Sequence, residues 1–588
     1  MIRRQWRRSS VLKSLVVLAA ICVPVAILFH LKSSNQDDAT SSSISHRSLS
    51  STNYDDQSIP EDNAILALLK AHDEAGPLSA PVPAAQVLSH TLDDIISSVI
   101  PTFEDVVGVV IYDPTTDKFI LHYSKHMRWK GGCHKLVGGF RALTYSLRKM
   151  FPNRFENGQP ELAIAISSGD YPEVKLGIPG RGLDFAAMKK DRNCFLGLST
   201  PPCVPSNLPP VLQFGSAFKS PEIYPSMIAM PMPQYNHVAC YQLYAVHQII
   251  CPRYLPSSPT NPKGLVFGET VGLGWNDLIP QVVWRGTDFG YLGRLYTRLR
   301  QPDFQLDIGS KLESISNQYN VKVAATQAMI DAYDQFIPRW KSVIWTAEAE
   351  REAEDIQKGL PNDSEEVVIP WANMKFAMAM NEGVKTSTSK IPYYQEFEEH
   401  GIPAIGEEMS LETLARYKYH IDTGGGGGTT WSGTLEKLGL PGVLFHHETP
   451  MKDYLHEKMV KWVHYIPIKE DLSDLKEKFD WAESHPELAK QISDNATQLA
   501  KSLGTHEGFS IMFNEFFEQP LRAVVEAYQP SESGSADLLD TMITNDLRPI
   551  MQCSGYYSHY CEGLVGDITF SRYNKPNVID FEPPQRKM

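Results

Sequence analysis

Apolar and polar positions along this chain change period several times, and each change marks an element. The first block is an apolar run from Leu15 to Leu31, broken only by Pro24 and His30, with Arg3, Arg4, Arg7, Arg8 and Lys13 all before it. A run of that length is close to the minimum that crosses a bilayer. The positive-inside rule keeps its basic flank in the cytosol and puts everything after Lys32 on the lumenal side. The pattern thus predicts a cytosolic tail over residues 1–13 and a transmembrane signal anchor over 14–31. A cleaved signal peptide is the rival reading, but the run is long for one and lacks a clear Ala-x-Ala exit. Residues 32–60 are rich in Ser, Asn and Asp with almost no large apolar side chains. They bury too little to offset their ordering entropy and read as a flexible stem.

Globular texture begins at Ala64-Ile-Leu-Ala-Leu-Leu69. Continuous apolar runs at Val106–Tyr112 and Leu162–Ile166 read as buried strands, with helical spacing between them near Leu136–Met150. Proline crowds residues 199–210 and 224–234, which read as irregular loops. A second alternating block holds strands at Gln281–Trp284, Tyr419–Asp422, Gly442–Phe445 and Trp462–Ile468. Its helices are expected at Gly290–Leu299, at Thr346–Lys358 and from Trp431 onward. After Ser484 the Ser484/Glu487 pair has capping-box spacing, and Leu488, Ile492, Ala496 and Leu499 share one helical face. Such alternation is the mark of an α/β fold. Two lobes are expected, over 61–255 and 256–528, joined by a Pro-rich stretch near 252–262. A C-terminal extension over 529–588 follows, whose role the pattern does not reveal.

At 588 residues the chain exceeds one compact core. Its net charge of −14 argues against nucleic-acid binding, which needs a concentrated basic face. Of eight cysteines, Cys22 lies within the expected anchor and Cys133 is left over once short loops are paired. In an oxidising lumen Cys194/Cys203, Cys240/Cys251 and Cys553/Cys561 are plausible bridges. Asn362-Asp-Ser364 and Asn495-Ala-Thr497 are glycosylation sequons.

Chemistry concentrates in a few places. Five consecutive glycines, Gly424 to Gly428, follow the strand at Tyr419–Asp422 and lead through Thr429, Thr430, Trp431 and Ser432 to Gly433. Glycines let backbone N–H groups converge, and the hydroxyls add donors, so a phosphate or diphosphate is the natural guest. No Gly-Lys-Ser/Thr follows, so this is not a P-loop. The strand-borne acid of a dinucleotide fold is also missing. Trp284-Arg-Gly-Thr287 ends a strand ahead of Arg294 and Arg298, which can offer an anion a guanidinium and a hydroxyl; a turn with surface arginines is the alternative. Asp170 follows an apolar strand, as a general base or as an Asx turn before Pro172. His446-His447-Glu448 suggests a metal only weakly, because adjacent strand residues face opposite ways. His464, in an aromatic run, reads as packed.

Together these segments resemble glycosyltransferase family 90, the family of capsule-associated protein and of Rumi-like protein O-glucosyltransferases. The resemblance is strongest from Leu411 to about Ser502, where Trp431-Ser-Gly433 and the specific Trp462-Val-His-Tyr-Ile-Pro467 block lie. It implies two Rossmann-like lobes of the glycosyltransferase B type, the N-terminal lobe taking the acceptor and the C-terminal lobe the nucleotide sugar. It further implies inverting, metal-independent transfer from a UDP-sugar donor to a hydroxyl of a protein or glycan, with no cofactor and no metal site. By position, Asp170 matches the general base. Tyr224, Arg285, Thr287 and Arg294, or Arg298 in its place, match donor-side contacts, as do Gly428, Thr429, Thr430, Trp431, Ser432 and Gly433. Glucose or xylose is the expected sugar, and a type II membrane protein of the Golgi or endoplasmic reticulum the expected setting.

The chain also departs from the family. Thr434 stands where an arginine is usual, Gly169 precedes Asp170 where protein O-glucosyltransferases carry arginine, and the C-terminus lacks a Lys-Asp-Glu-Leu-like signal. A catalytically lapsed lumenal sugar- or glycoprotein-binding protein of the same fold is the competing expectation.

Overall fold

The computed structural model describes residues 58–82, 84, 87–100, 107–114, 117–123, 143–144, 146–155, 160–167, 208–213, 215–217, 227–229, 240–241, 244–245, 247–287, 338–361, 363–381, 384–387, 402, 404–424, 433–449 and 451–531. The expected anchor, nearly all of the stem, the C-terminal extension beyond Ser531 and the helix expected at Gly290–Leu299 lie outside them. Among the described residues no helix is long and apolar enough to cross a membrane.

Helix α1 (Asp62–Ala75) opens the described chain and buries Ile65 and Leu69. Six strands follow: β1 (Val107–Asp113), β2 (Lys118–Tyr123), β3 (Leu162–Ser167), β4 (Val211–Gln213), β5 (Gly215–Ala217) and β6 (Met227–Ala229). Five of them form a sheet in the order β2-β1-β3-β4-β6. β1 is antiparallel to β2 and β3, while β3, β4 and β6 run parallel. β3 is buried along its whole length. That is why it reads as an unbroken apolar run, since a strand covered on both faces has no polar side to alternate. β2, which the apolar pattern did not announce, pairs along the outer side of β1.

The second sheet is built from β7 (Ile279–Thr287), β8 (Ala372–Asn381), β9 (Val384–Ser387), β10 (Tyr417–Asp422), β11 (Val443–His447) and β13 (Ile466–Ile468). Its order is β13-β11-β10-β7-β8-β9, all parallel except β9. Parallel neighbours require crossovers, and helices supply them. α2 (Pro338–Gly359) packs on β8, and α3 (Gly433–Gly439) lies between β10 and β11 in sequence and packs on β10. α4 (Leu475–Ser484) and α5 (Pro486–Leu503) follow β13, with α5 against β11. α6 (His506–Phe513) and α7 (Gln519–Ala527) end the described chain, and α7 packs on β3 of the first sheet. β12 (Met451–Asp453) pairs antiparallel with β5, so the second half of the chain also reaches back through a ribbon.

The mixed α/β class is as expected, with largely parallel sheets. The described residues all fall within one compact unit, Asn53–Met588. Four local expectations are corrected. The Trp462–Ile468 strand shrinks to Ile466–Ile468; Trp462 sits at φ +62°, in the left-handed region, and starts a buried turn closed by Trp462 N–H on the Tyr465 carbonyl at 2.8 Å. The Ser484/Glu487 capping box does not form. α5 starts at Pro486, whose ring suits a first helical turn, and Ser484 Oγ donates to the Trp481 carbonyl of α4 instead. Asn495 of the second sequon lies within α5 and is 2 % exposed, so it is closed to glycosylation in the folded chain. Within the stretch expected to be irregular at 224–234, Met227–Ala229 forms β6. Of the expected bridges Cys240–Cys251 is present, its Cα atoms 4.9 Å apart, and the other cysteines lie outside the described residues.

Candidate functional site

The connectivity of the second sheet fixes where a ligand belongs. From β7 the chain crosses to β8 on one side, then returns to build β10, β11 and β13 on the other. The order therefore reverses between β7 and β10. In open parallel sheets the crevice beyond the carboxyl ends of such a strand pair is the usual binding place. β7 ends there at Thr287, β10 at Asp422, and the glycine-rich segment leaves from Thr423 and Gly424.

Arg339, in the first turn of α2, spans this reversal. Its Nη1 donates to the Thr287 carbonyl at 2.8 Å and to Thr287 Oγ1 at 3.1 Å, while Nη2 donates to the Thr423 carbonyl at 3.3 Å. Its guanidinium also lies over the Trp284 ring, 5.5 Å from the centroid. One planar cation thus sets the spacing of the two strand ends, which a lysine with a single nitrogen cannot do.

Asp422 is buried, and its two oxygens are divided. Oδ1 faces His446 Nδ1 at 2.8 Å and Oδ2 accepts from Thr434 Oγ1 at 2.7 Å. Burial pushes the Asp422 carboxyl up, but His446, Lys437 and Thr434 together outweigh it and hold it below the usual carboxylate range. Burial likewise works against a charged His446, and Asp422 with Glu448 and Asp453 overcomes it, so His446 is held above the ordinary histidine range. The two shifts agree on a buried carboxylate–imidazolium pair. Behind it His446 Nε2 meets His456 Nε2 at 2.8 Å, and His456 Nδ1 meets Asp453 Oδ1 at 2.9 Å. Lys437, one turn into α3, faces Asp422, Glu436 and Arg339; burial lowers its ammonium below the ordinary lysine range. Its Nζ lies 3.2 Å from where a β-carbon on Gly433 would stand.

Of the residues that the resemblance matched to catalytic or donor-side roles, three are described. Thr287 and Gly433 stand at this edge. Arg285 does not present its guanidinium to it: Nη1 donates to the Trp284 and Asn373 carbonyls at 2.8 Å each, Nη2 to Asn373 Oδ1 at 3.0 Å, and Nε to the Glu407 carbonyl at 3.1 Å. Those bonds stitch β7 to β8, a structural role the strand-end motif could not distinguish from anion binding. Asp170, Tyr224, Arg294, Arg298, Gly428, Thr429, Thr430, Trp431 and Ser432 lie outside the described residues. His464 is packed as expected, its Nδ1 accepting from Val460 N–H at 2.9 Å. Sequence reasoning missed Arg339 and the Asp422–His446–His456–Asp453 chain. Asp422 carried a faint signal, an acid closing an apolar strand before glycines, whereas Arg339 joins residues 52 and 84 positions away and had none. Among the described residues no group of three His, Cys, Asp or Glu side chains is placed to hold a metal ion.

A largely parallel sheet whose strand order reverses between β7 and β10 defines the class, an α/β protein. Residues 378–519 match the glycosyl transferase family 90 model, in agreement with the sequence resemblance. The segment includes β10, α3, β11 and the Asp422–His446 pair. Protein O-glucosyltransferase 2 of Danio rerio is 31% identical over 119 residues, which cover 19% of this chain and 22% of that protein. Protein O-glucosyltransferase 3 of Rattus norvegicus is 33% identical over 101 residues, 16% of this chain and 18% of the relative. An uncharacterized protein, 179R, of Invertebrate iridescent virus 6 is 25% identical over 155 residues, 24% of this chain and 13% of the viral one. The matched stretch thus spans about a fifth of the O-glucosyltransferases' own length.

Proposed function

We propose that this chain is an inverting, metal-independent glycosyltransferase that moves glucose or xylose from a UDP-sugar to a hydroxyl of a protein or glycan in the secretory pathway. The observation that carries the reading is the strand reversal between β7 and β10, where Arg339 and Lys437 stand beside the exit of a glycine-rich segment that itself lies inside the family 90 match. The nucleotide diphosphate would lie across that edge. Thr287, Gly433 and residues Gly428 to Ser432 would supply hydroxyl and N–H donors, and Tyr224 and Arg294 further donor-side contacts. Fixed donors and cations stabilise the charge that grows on a departing diphosphate without needing a bound ion.

Asp170 is the base in this reading. It removes the proton of the acceptor hydroxyl as that oxygen attacks the anomeric carbon, and UDP leaves from the opposite face. The Rossmann-like lobes of a B-type glycosyltransferase, one for acceptor and one for donor, belong to the same proposal. So does a type II anchor at 14–31 in the Golgi or endoplasmic reticulum. The Cys240–Cys251 bridge supports an oxidising compartment.

A second reading, a sugar-binding protein that has lost turnover, draws on Thr434, whose side chain is committed to Asp422 and offers no cation. Full-length protein incubated with a panel of UDP-sugars and glycan or protein acceptors separates the two by released UDP. Release from at least one donor, abolished in Asp170→Asn, is expected; UDP binding with no release from any donor favours the binder, and full activity in Asp170→Asn removes the base.

A further inference from the structure

The paired histidines at the end of β11 have an assignment that metal chemistry does not provide. Successive side chains of a strand point to opposite faces. His446 and His447 are both 1 % exposed and therefore meet different neighbours. His447 Nδ1 accepts from the Gly424 N–H at 2.9 Å, and its Nε2 donates to the Glu470 carbonyl at 2.8 Å. One acceptor and one donor require the neutral ring with its proton on Nε2. Burial keeps it so, with the imidazole pushed down to about 4. His446 takes the opposite state. Its Nδ1–H donates to Asp422 Oδ1, and Asp422 Oδ2 receives the Thr434 hydroxyl. Its Nε2 lies 2.8 Å from His456 Nε2, and His456 Nδ1 in turn accepts from the Asp453 N–H at 3.1 Å beside Asp453 Oδ1 at 2.9 Å.

Gly424 and Thr434 are the two ends of the glycine-rich segment, one at the exit of β10 and the other in the first turn of α3. We infer that His446 and His447 are positioning residues that tie both ends of this segment to one rigid strand, His447 directly through the Gly424 amide and His446 through Asp422 and Thr434. Two ties only one residue apart on β11 fix the separation of the segment's ends. That separation decides whether N–H donors between them converge on one anion. The inference deepens the reading of this segment as the diphosphate side of the donor site, and rests on it for its functional consequence. The charged and titratable groups facing the pair are Asp422 from β10, Lys437 from α3, Glu448 at the end of β11, and Asp453 and His456 around β12; the Tyr465 ring lies edge-on to His446.

The test uses the full chain and compares UDP with uridine by calorimetry, since only UDP engages a diphosphate loop. Loss of one tie is worth about a tenfold change, the scale of one buried hydrogen bond. His447→Ala and His446→Asn are expected to weaken UDP about tenfold while leaving uridine within about twofold, and His447→Gln, which keeps an acceptor and a donor, to recover most of the loss. Folded variants, judged by an unchanged unfolding transition, that bind UDP as the wild type does would overturn the inference, as would equal loss of UDP and uridine binding. If the wild-type chain binds no UDP, the donor-site reading fails by itself. Imidazole nitrogen NMR then decides the positioning roles: a neutral Nε2–H ring at His447 beside a ring at His446 that carries a proton on Nδ1 upholds them, and a proton on His447 Nδ1 or none on His446 Nδ1 refutes them.

Discussion

Lys437 and Arg285 are both cations near the strand ends, and their surroundings separate binding from scaffolding. Lys437 faces Asp422 and Arg339 without a hydrogen bond or ion pair to any described residue, and burial holds its ammonium down. A partly desolvated charge without a close partner among the described residues costs stability where nothing else offsets it, and points to another reason for its place. Lys437→Met is therefore expected to leave the unfolding midpoint level or raise it, while UDP affinity falls about tenfold, the scale of one charge-assisted contact. Arg285 has the reverse signature. Each of its three guanidinium nitrogens donates to the backbone or side chain of neighbouring segments, and a β-carbon on Gly406 would stand 2.7 Å from its Nε. Arg285→Lys keeps the charge and loses the fork, so a loss of about 1–3 kcal/mol in stability is expected, with UDP affinity per folded molecule unchanged. Denaturant titration beside calorimetry on both variants checks the pair. A stable Arg285→Lys with weakened UDP binding would return Arg285 to the donor site.

At the scale of elements, six of the thirteen described strands were legible, most clearly where a strand covered on both faces is written as a nearly continuous apolar run, as at β1 and β3. The same signal misread Trp462 to Tyr465. A buried turn also conceals large side chains, and an apolar run alone does not distinguish it from a buried strand. Arg339 and the histidine chain were illegible for a different reason, since the contacts that give them meaning cross from one element to another. Gly442 shows what the sequence implied without stating it. It sits at φ +111° just before β11, and a β-carbon there would stand 2.5 Å from the Lys418 carbonyl and 2.9 Å from that of Tyr417. Its N–H donates to Ser493 Oγ of α5 at 3.0 Å. Only glycine lets β10 and α5 close on this corner. Gly442→Ala combines left-handed strain with a backbone clash, and a loss of about 2 kcal/mol or more is expected by denaturant unfolding. A loss under about 0.5 kcal/mol, the range of an ordinary surface change, would mean the corner yields easily.

Over the whole molecule, buried neutral histidines set the response to acid. His420, His447 and His464 are at most 1 % exposed. Burial is the largest cause in each case, pushing His420 and His447 down to about 4 and His464 to about 3. In the unfolded chain each returns to about 6.5. Between about pH 6.5 and pH 4 the unfolded chain thus binds these protons and the folded chain does not. Stability rises with pH wherever the unfolded state holds more protons. The contribution of the three rings is therefore complete above their unfolded value and is lost as pH falls toward their folded values. His446 acts in the opposite sense: its folded value is raised, so its contribution is complete below about pH 6.5 and fades as pH rises, and near pH 5 it adds little slope. His72 and His90 are also lowered and act in the same sense as the three. Near pH 5 the expected slope corresponds to roughly three protons taken up on unfolding, or about 4 kcal/mol per pH unit. Denaturant midpoints between pH 7 and pH 5, converted with a fixed m-value, measure it. A flat profile across that window would show that at least one of the three rings already carries its proton in the folded chain.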